Sequence, residues 1–306
     1  MSDKGFLEKS FPSLRTGVIP VEKYGDFEEY CLPPNVEIAV KSEPSSINAA
    51  METILDDVPS DDPDAQIIVG FDSEWNVEVS VGGRVHEHGH TSIIQIAYKN
   101  RVYILQVSSF FKILLCESIL IFRTQVGDMV AAGTLPQQLK VLLSHPQILK
   151  AGCLVDADLG YLQSACKGSS QFVGGLDLAK YAKDRRVVNN AQCSLADLCA
   201  QVLGKWLNKN ISERLSDAWE DDVLTSKQLQ YAARDASASL MIYHKLQILN
   251  MPQPLPPGSL TTPTPVLLYS TDNTTVIAQG RIVVNHLLKP SYDTINITPT
   301  SYMNCH

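Results

Sequence analysis

The stretch Ile67-Ile-Val-Gly-Phe-Asp-Ser-Glu-Trp75 decides how this chain folds. Ile67 to Phe71 form an unbroken apolar run, the pattern of a strand buried on both faces. Residues two apart in a strand project to the same side, so Asp72 and Glu74 present their carboxylates together. Two acids side by side on a buried strand are costly unless something cationic lies between them, and a divalent ion meets that need.

Working outward, Thr91 to Tyr98 and Val102 to Val107 read as two strands of a hairpin around Lys99-Asn100-Arg101. Val36 to Val40 alternates apolar residues as a short strand, and Ser45 to Leu55 follows with helical spacing. Asp56 to Asp64, with two prolines, is a solvated loop. Gln137 to Leu143 is helical and Ile148 to Cys153 is a short buried strand, with helices at 155–166, 177–183, 194–204 and 226–250. Strands alternating with helices predict an α/β sheet covered on both faces, with one antiparallel element. Residues 251–265 hold six prolines and read as a stiff linker. Beyond it, Val266 to Tyr269 and Thr275 to Asn285 form one hairpin, two strands being too few for an independent domain. The expected organisation is an extension at 1–34, a main domain at 35–250, the linker at 251–265 and a β-rich tail at 266–306.

Composition narrows the class. The chain has 306 residues, a net charge of −8 and 44% hydrophobic residues, which rules out a wholly disordered or collagen-like chain. The longest apolar stretch, Phe110 to Phe122, contains Lys112 and Glu117 and is too short to span a bilayer, so no membrane partner is expected. The first 30 residues lack an apolar segment of the secretory kind. Seven cysteines, odd in number and without a Cys-x-x-Cys pair, read as free thiols in a reducing, intracellular compartment. The acid is concentrated: residues 35–66 carry −7, whereas 67–250 carry +1. An anionic polymer therefore remains an allowed partner.

Two further segments carry acids in telling positions. In Val155 to Leu162, Val155, Leu159 and Leu162 define a buried helix face. Asp158 falls on that face, while Asp156 lines up with Gly160 and Gln163 on the wet side. In the last long helix, opened by a capping box of Thr225 and Gln228, Tyr231, Asp235, Ala238, Ile242, Leu246 and Leu249 share one stripe. An aspartate heading an apolar stripe needs a partner, and Tyr231 lies one turn before it.

At these residues the chain resembles the DEDD superfamily of 3′–5′ exonucleases. The likeness rests on Phe71-Asp72-Ser73-Glu74-Trp75, on Lys150-x-Gly152 with Asp158-x-x-x-Leu162, and on Tyr231-Ala232-Ala233-x-Asp235-Ala236. The tyrosine four before the last aspartate marks the DEDDy branch. Within it the chain is similar to Werner-type exonuclease domains and, more distantly, to ribonuclease D. Supporting stretches are Ser92-Ile-Ile-Gln-Ile-Ala97, Ser194-Leu195 with Leu203-Gly204-Lys205, and Trp219 before Leu224-Thr225.

The resemblance implies a ribonuclease H-like fold, a mixed five-stranded sheet with helices on both faces. It implies two ions, Mg²⁺ or Mn²⁺. Asp72, Glu74 and Asp235 would hold the one that activates water, Asp72 would bridge to the second, and Asp158 would contribute there. Tyr231 would help orient the water. The implied substrate is nucleic acid with a free 3′ end, DNA in preference to RNA, releasing nucleoside 5′-monophosphates, and the implied location is the nucleus. An inactive binding or scaffold homologue and an exoribonuclease are the alternatives.

Other signals are weighed against plainer readings. Ser109 to Gln125 has no family counterpart and reads as a helix packed on the sheet, as retained non-coding sequence, or as a contact surface. His86, His88 and His90 read as a solvated loop rather than a metal site. Lys180, Lys183, Arg185 and Arg186 read as a wet face, with phosphate contact the alternative. Asp177 is expected to cap a helix, and Trp219 to anchor packing rather than stack a base.

Overall fold

The computed structural model describes residues 24–25, 27–79, 85–112, 135–166, 171–209, 218–249, 265–269, 276–283 and 296–297. The chain divides into two units, Met1–Leu249 and Asn250–His306. The proline-rich linker and most of the 109–125 stretch lie outside the described residues, although a short helix covers Ser108–Lys112. Among the described residues, no helix is long and apolar enough to cross a membrane.

The larger unit is built on β2 (Ile67–Val79), the strand that carries Asp72 and Glu74. The others are β1 (Glu37–Lys41), β3 (Val85–Tyr98), β4 (Arg101–Gln106), β5 (Ile148–Gly152) and β6 (Gly175–Asp177), in the order β1-β4-β3-β2-β5-β6. β2, β3 and β4 pair antiparallel. β1 pairs parallel with β4, and β5 and β6 extend the sheet parallel to β2. The sheet thus has six strands where five were expected. The extra one, β6, is only three residues long, too short to show a period.

His86, His88 and His90 lie in β3 rather than in a loop. Here β2 and β3 continue as a two-stranded ribbon, with Val77 opposite His88 and Val79 opposite Val85. The glycines here interrupt the apolar alternation, which hides the pairing from sequence. Register shifts at Glu74, Trp75 and Glu78 bend it just beyond the acids.

Helices cover both faces. On one, α1 (Pro44–Leu55), α3 (Gln137–Ser144) and α4 (Val155–Ala165) pack against Phe71, Ile94, Ile96 and Leu105, α2 being the short Ser108–Lys112 helix. On the other, α7 (Ser226–Gln247) lies over Ile93, Ala97 and Ile104. Beside it lie α5 (Leu178–Asp184) and α6 (Leu195–Leu198), the latter running into a π-helical turn at Cys199–Leu203. The capping box expected for α7 forms in full: Gln228 N donates to Thr225 Oγ1 at 3.2 Å, and Thr225 N donates to Gln228 Oε1 at 2.9 Å. Lys150 is buried on β5, and its ammonium donates to the carbonyls of Leu143, Ile148 and Val173 at 2.9–3.0 Å, tying α3 to the sheet.

In the smaller unit, β7 (Pro265–Tyr269), β8 (Val276–Val283) and β9 (Asn296–Ile297) form an antiparallel sheet of three strands. The expected hairpin is therefore joined by a third strand, again too short to read from periodicity.

Gly70 sets how closely α7 approaches the sheet. A Cβ there would lie 2.0 Å from the Ala236 carbonyl oxygen and 2.9 Å from Leu240 N. Both are backbone atoms of α7, which cannot turn aside as a side chain would. Gly70→Ala is expected to destabilise the chain by about 1–3 kcal/mol, the range of overpacking. A lowered urea midpoint at unchanged slope is the readout, and an unchanged midpoint would contradict this packing.

Candidate active site

The site forms at the carboxyl end of the central strands. Pairing of Gly70 with Ala151 carries β2 on to Asp72 just where β5 ends at Gly152. Asp72 and Glu74 point toward α7, which supplies Asp235 and Tyr231 one turn apart. One ligand oxygen from each of Asp72, Glu74 and Asp235 lies within 4.8 Å of the others. Asp158 reaches the same end from α4, on the opposite face. It is buried and interacts electrostatically with Asp72 and Glu74, but stands outside that three-residue group.

Local structure fixes α4. Its N-cap, Leu154, is left-handed at φ 59°, a conformation uncommon for a leucine. The Leu154 amide donates to Asp177 Oδ2 at 2.9 Å, and the other Asp177 oxygen accepts from Lys180 N at 2.9 Å. Asp177 therefore caps α5, as expected, and also pins the backbone turn that aims Asp158. Asp156 is exposed, the opposite of Asp158, as the helix-face reading required.

Burial dominates the electrostatics. It pushes the Asp72 carboxyl up to about 7, helped by the negative charge of Asp235 and opposed by Lys209. Glu74 is raised well above the usual carboxylate range by burial, then by Asp72 and Asp235. Asp158 is raised in the same direction by burial and by Asp72, with a hydrogen bond to Ser73 working against it.

Lys209 is a site residue that sequence reasoning missed. Its ammonium is paired with Asp235 Oδ2, lies 3.4 Å from the Tyr231 hydroxyl and sits 4.9 Å from the Tyr231 ring centre. Burial pulls its amine down, but Asp235, Asp72 and Glu74 outweigh burial and raise it. No periodicity marks Lys209, because it follows Leu207 in an irregular segment. The neighbouring Trp206 is fastened from the N-terminal side: its N–H donates to Glu28 O at 2.8 Å, and its carbonyl accepts from Tyr30 N at 2.7 Å. The Tyr30 hydroxyl in turn contacts Ser237 Oγ of α7 at 2.9 Å. Part of the stretch read as an extension thus braces the site. Trp219 is buried, its ring centre 6.1 Å from that of Tyr231, and acts as the expected packing anchor. Lys180 and Lys183 are exposed, while Arg185 packs over the Tyr181 ring at 3.4 Å.

The donor set fits a hard divalent cation. It is all oxygen, it is crowded with like charge, and Asp235 Oδ1 is buried without a hydrogen-bond partner. Oxygen-only ligands suit Mg²⁺ or Mn²⁺ better than zinc.

A carboxylate cluster at the end of a mixed, helix-covered sheet is an arrangement suited to holding a divalent ion. Residues 88–249 match the family described as 3′–5′ exonuclease, and the chain belongs to that family. It is 31% identical over 181 residues to the mouse bifunctional 3′–5′ exonuclease/ATP-dependent helicase WRN, a match covering 58% of this chain and 11% of that one. It is 28% identical over 228 residues to the human exonuclease 3′–5′ domain-containing protein 2, covering 71% and 29%. The chain spans less than half the length of the curated relatives it matches. Among solved structures, the Nibbler EXO domain of Aedes aegypti aligns at a TM-score of 0.46 with 23% identity, covering 72% of this chain and 91% of that one. The mixed sheet between helix layers agrees with the ribonuclease H-like expectation, strand count apart.

The raised carboxyls carry a prediction about the metal-free protein. A carboxyl whose folded-state pKa is raised holds its proton more tightly when folded, so its contribution to stability is present at low pH and lost as pH climbs through the folded value. For Asp72 that window runs from the ordinary 3.8 to about 7. In EDTA, stability should fall between about pH 4 and about pH 7, and fall less in Asp72→Asn. Exposed carboxyls such as Asp57 are lowered by their own partners and act oppositely, but they are common to both proteins. Thermal melts in which Asp72→Asn keeps the full wild-type slope would count against this reading.

Proposed function

We propose that the chain hydrolyses the terminal phosphodiester bond at the 3′ end of nucleic acid, DNA in preference to RNA, and releases nucleoside 5′-monophosphates. Family membership supports the reaction class. The observation that carries the site assignment is the convergence of Asp72, Glu74 and Asp235 within 4.8 Å. These three residues would hold one divalent ion, and Asp72 with Asp158 would hold a second. Bound there, the ions supply activation of water and stabilisation of charge on the departing 3′ oxygen.

The chain's own residues do the rest. Asp72, Glu74 and Asp235 must be ionised to act as ligands, and β2 and α7 hold them in position. The Tyr231 hydroxyl, one turn before Asp235, would orient an attacking water by hydrogen bonding. Asp158, arriving from the other face, would add its carboxylate to the second ion's site. The thiols of Cys31, Cys153, Cys166 and Cys199, which form no disulfide, suit a reducing compartment, and the resemblance favours the nucleus within it.

The test is purified protein on 3′-recessed DNA and on RNA of the same sequence, with Mg²⁺, with Mn²⁺ and with EDTA. Shortening from the 3′ end only with a divalent ion is expected, faster on DNA. Asp72→Ala should lower turnover at least about a hundredfold, the scale seen when a principal electrostatic stabiliser is removed. Retention of the strands without cutting would favour the binding homologue, and faster loss of RNA would favour the exoribonuclease.

A further inference from the structure

We propose that Lys209 is the resident counter-cation of the carboxylate cluster, and that a divalent ion enters by displacing its ammonium from Asp235. The inference rests on reading the cluster as a metal site.

Three observations carry it. First, Lys209 lies inside the cluster and not at its rim: its side chain is 17% exposed, and that of Asp235 is 1% exposed. Its charge acts on Asp72 and Glu74 as well as on Asp235. Second, the ammonium occupies only one of the two Asp235 oxygens. Oδ2 carries the ion pair, while Oδ1 is buried and takes no bond from Lys209, and Asp72 is near enough to share a hydrogen bond with Asp235. A divalent ion seated between Asp235, Asp72 and Glu74 would stand within a few ångströms of a positive charge in a site poorly screened by water, and the two cations repel. Third, the ammonium has somewhere to go. Lys209 belongs to an irregular segment rather than to a helix or strand, and its ammonium already stands 4.9 Å from the Tyr231 ring centre, a second partner for the charge. A four-carbon side chain can withdraw from Oδ2 by rotamer change alone.

In this arrangement Lys209 holds ionised acids together when no ion is bound, and it weakens the apparent affinity for the ion that replaces it. Removing the ammonium therefore has opposite effects on the two states. The metal-free fold loses a partner for Asp235, and the ion loses a competitor.

The experiment is titration of the whole chain with Mn²⁺ alone, by calorimetry or by the electron-spin signal of free Mn²⁺, for wild type and Lys209→Met. Lys209→Met is expected to bind Mn²⁺ at least about threefold more tightly while melting at a lower temperature in EDTA. Affinity that is equal or weaker overturns the exchange, and a weaker one makes Lys209 an orienting group for Asp235. A second measurement needs no variant. Amine labelling of wild type, read by mass spectrometry at Lys209, should rise several-fold on saturation with Mn²⁺, and labelling that does not rise overturns the proposal as well. Wild type that binds no Mn²⁺ at all overturns the metal-site reading itself, a result distinct from equal affinities in the two proteins.

Discussion

Repulsion among Asp72, Glu74 and Asp235 is what the larger unit is built to contain. Three acids within 4.8 Å of one another in a half-buried site would separate if their backbones were free. They are not free. Asp72 and Glu74 sit on a strand paired with β3 at both positions and anchored to β5 as far as Gly70, and Asp235 sits in the middle of a 22-residue helix with a complete capping box. The two elements meet where Gly70 allows backbone to touch backbone. Packing of the apolar residues over Ile93, Ala97 and Ile104 offsets the electrostatic cost, so the sheet–helix contact and the acidic site are one feature.

This explains why so much of the site was legible in the sequence. Period two places Asp72 beside Glu74. The 4-3-4 stripe places Asp235 and Tyr231 on the core side of α7, and the Val155-Leu159-Leu162 face selects Asp158 over Asp156. Each reading used the rule that apolar neighbours reveal where a polar residue points. Where that rule has no purchase, the sequence is silent. Lys209 has no periodic neighbours, and its position depends on Trp206 pairing with residues far away in the chain, Glu28 and Tyr30. β6 is held by its pairing with Lys150, Ala151 and Gly152, not by its own three residues. The ribbon of β2 with β3 beyond Trp75 is held by backbone bonds, which composition does not encode.

The arrival of Asp158 from the far face divides the acidic lining in two. One part is set by the contact of α7 with β2. The other is set by α4, whose direction depends on a left-handed Leu154 and on both oxygens of Asp177. A leucine in that conformation is disfavoured by about 1–2 kcal/mol, so the turn persists because its amide has a fixed acceptor and Val155, Leu159 and Leu162 are buried behind it. The helix cap of Asp177 is thus also what aims Asp158, a role that no local reading of an Asp before a helix assigns.

Ionisation, ion binding and stability are then a single linked equilibrium. Burial and mutual repulsion favour protons on Asp72 and Glu74, whereas a cation between them favours their loss. Lys209 opposes this protonation, its charge acting on Asp235, Asp72 and Glu74 together. A cation seated among these buried and half-buried acids would oppose it further, in a position the fold has already shaped. If the site acts as proposed, an anionic substrate would be received more readily with such a cation in place than without it.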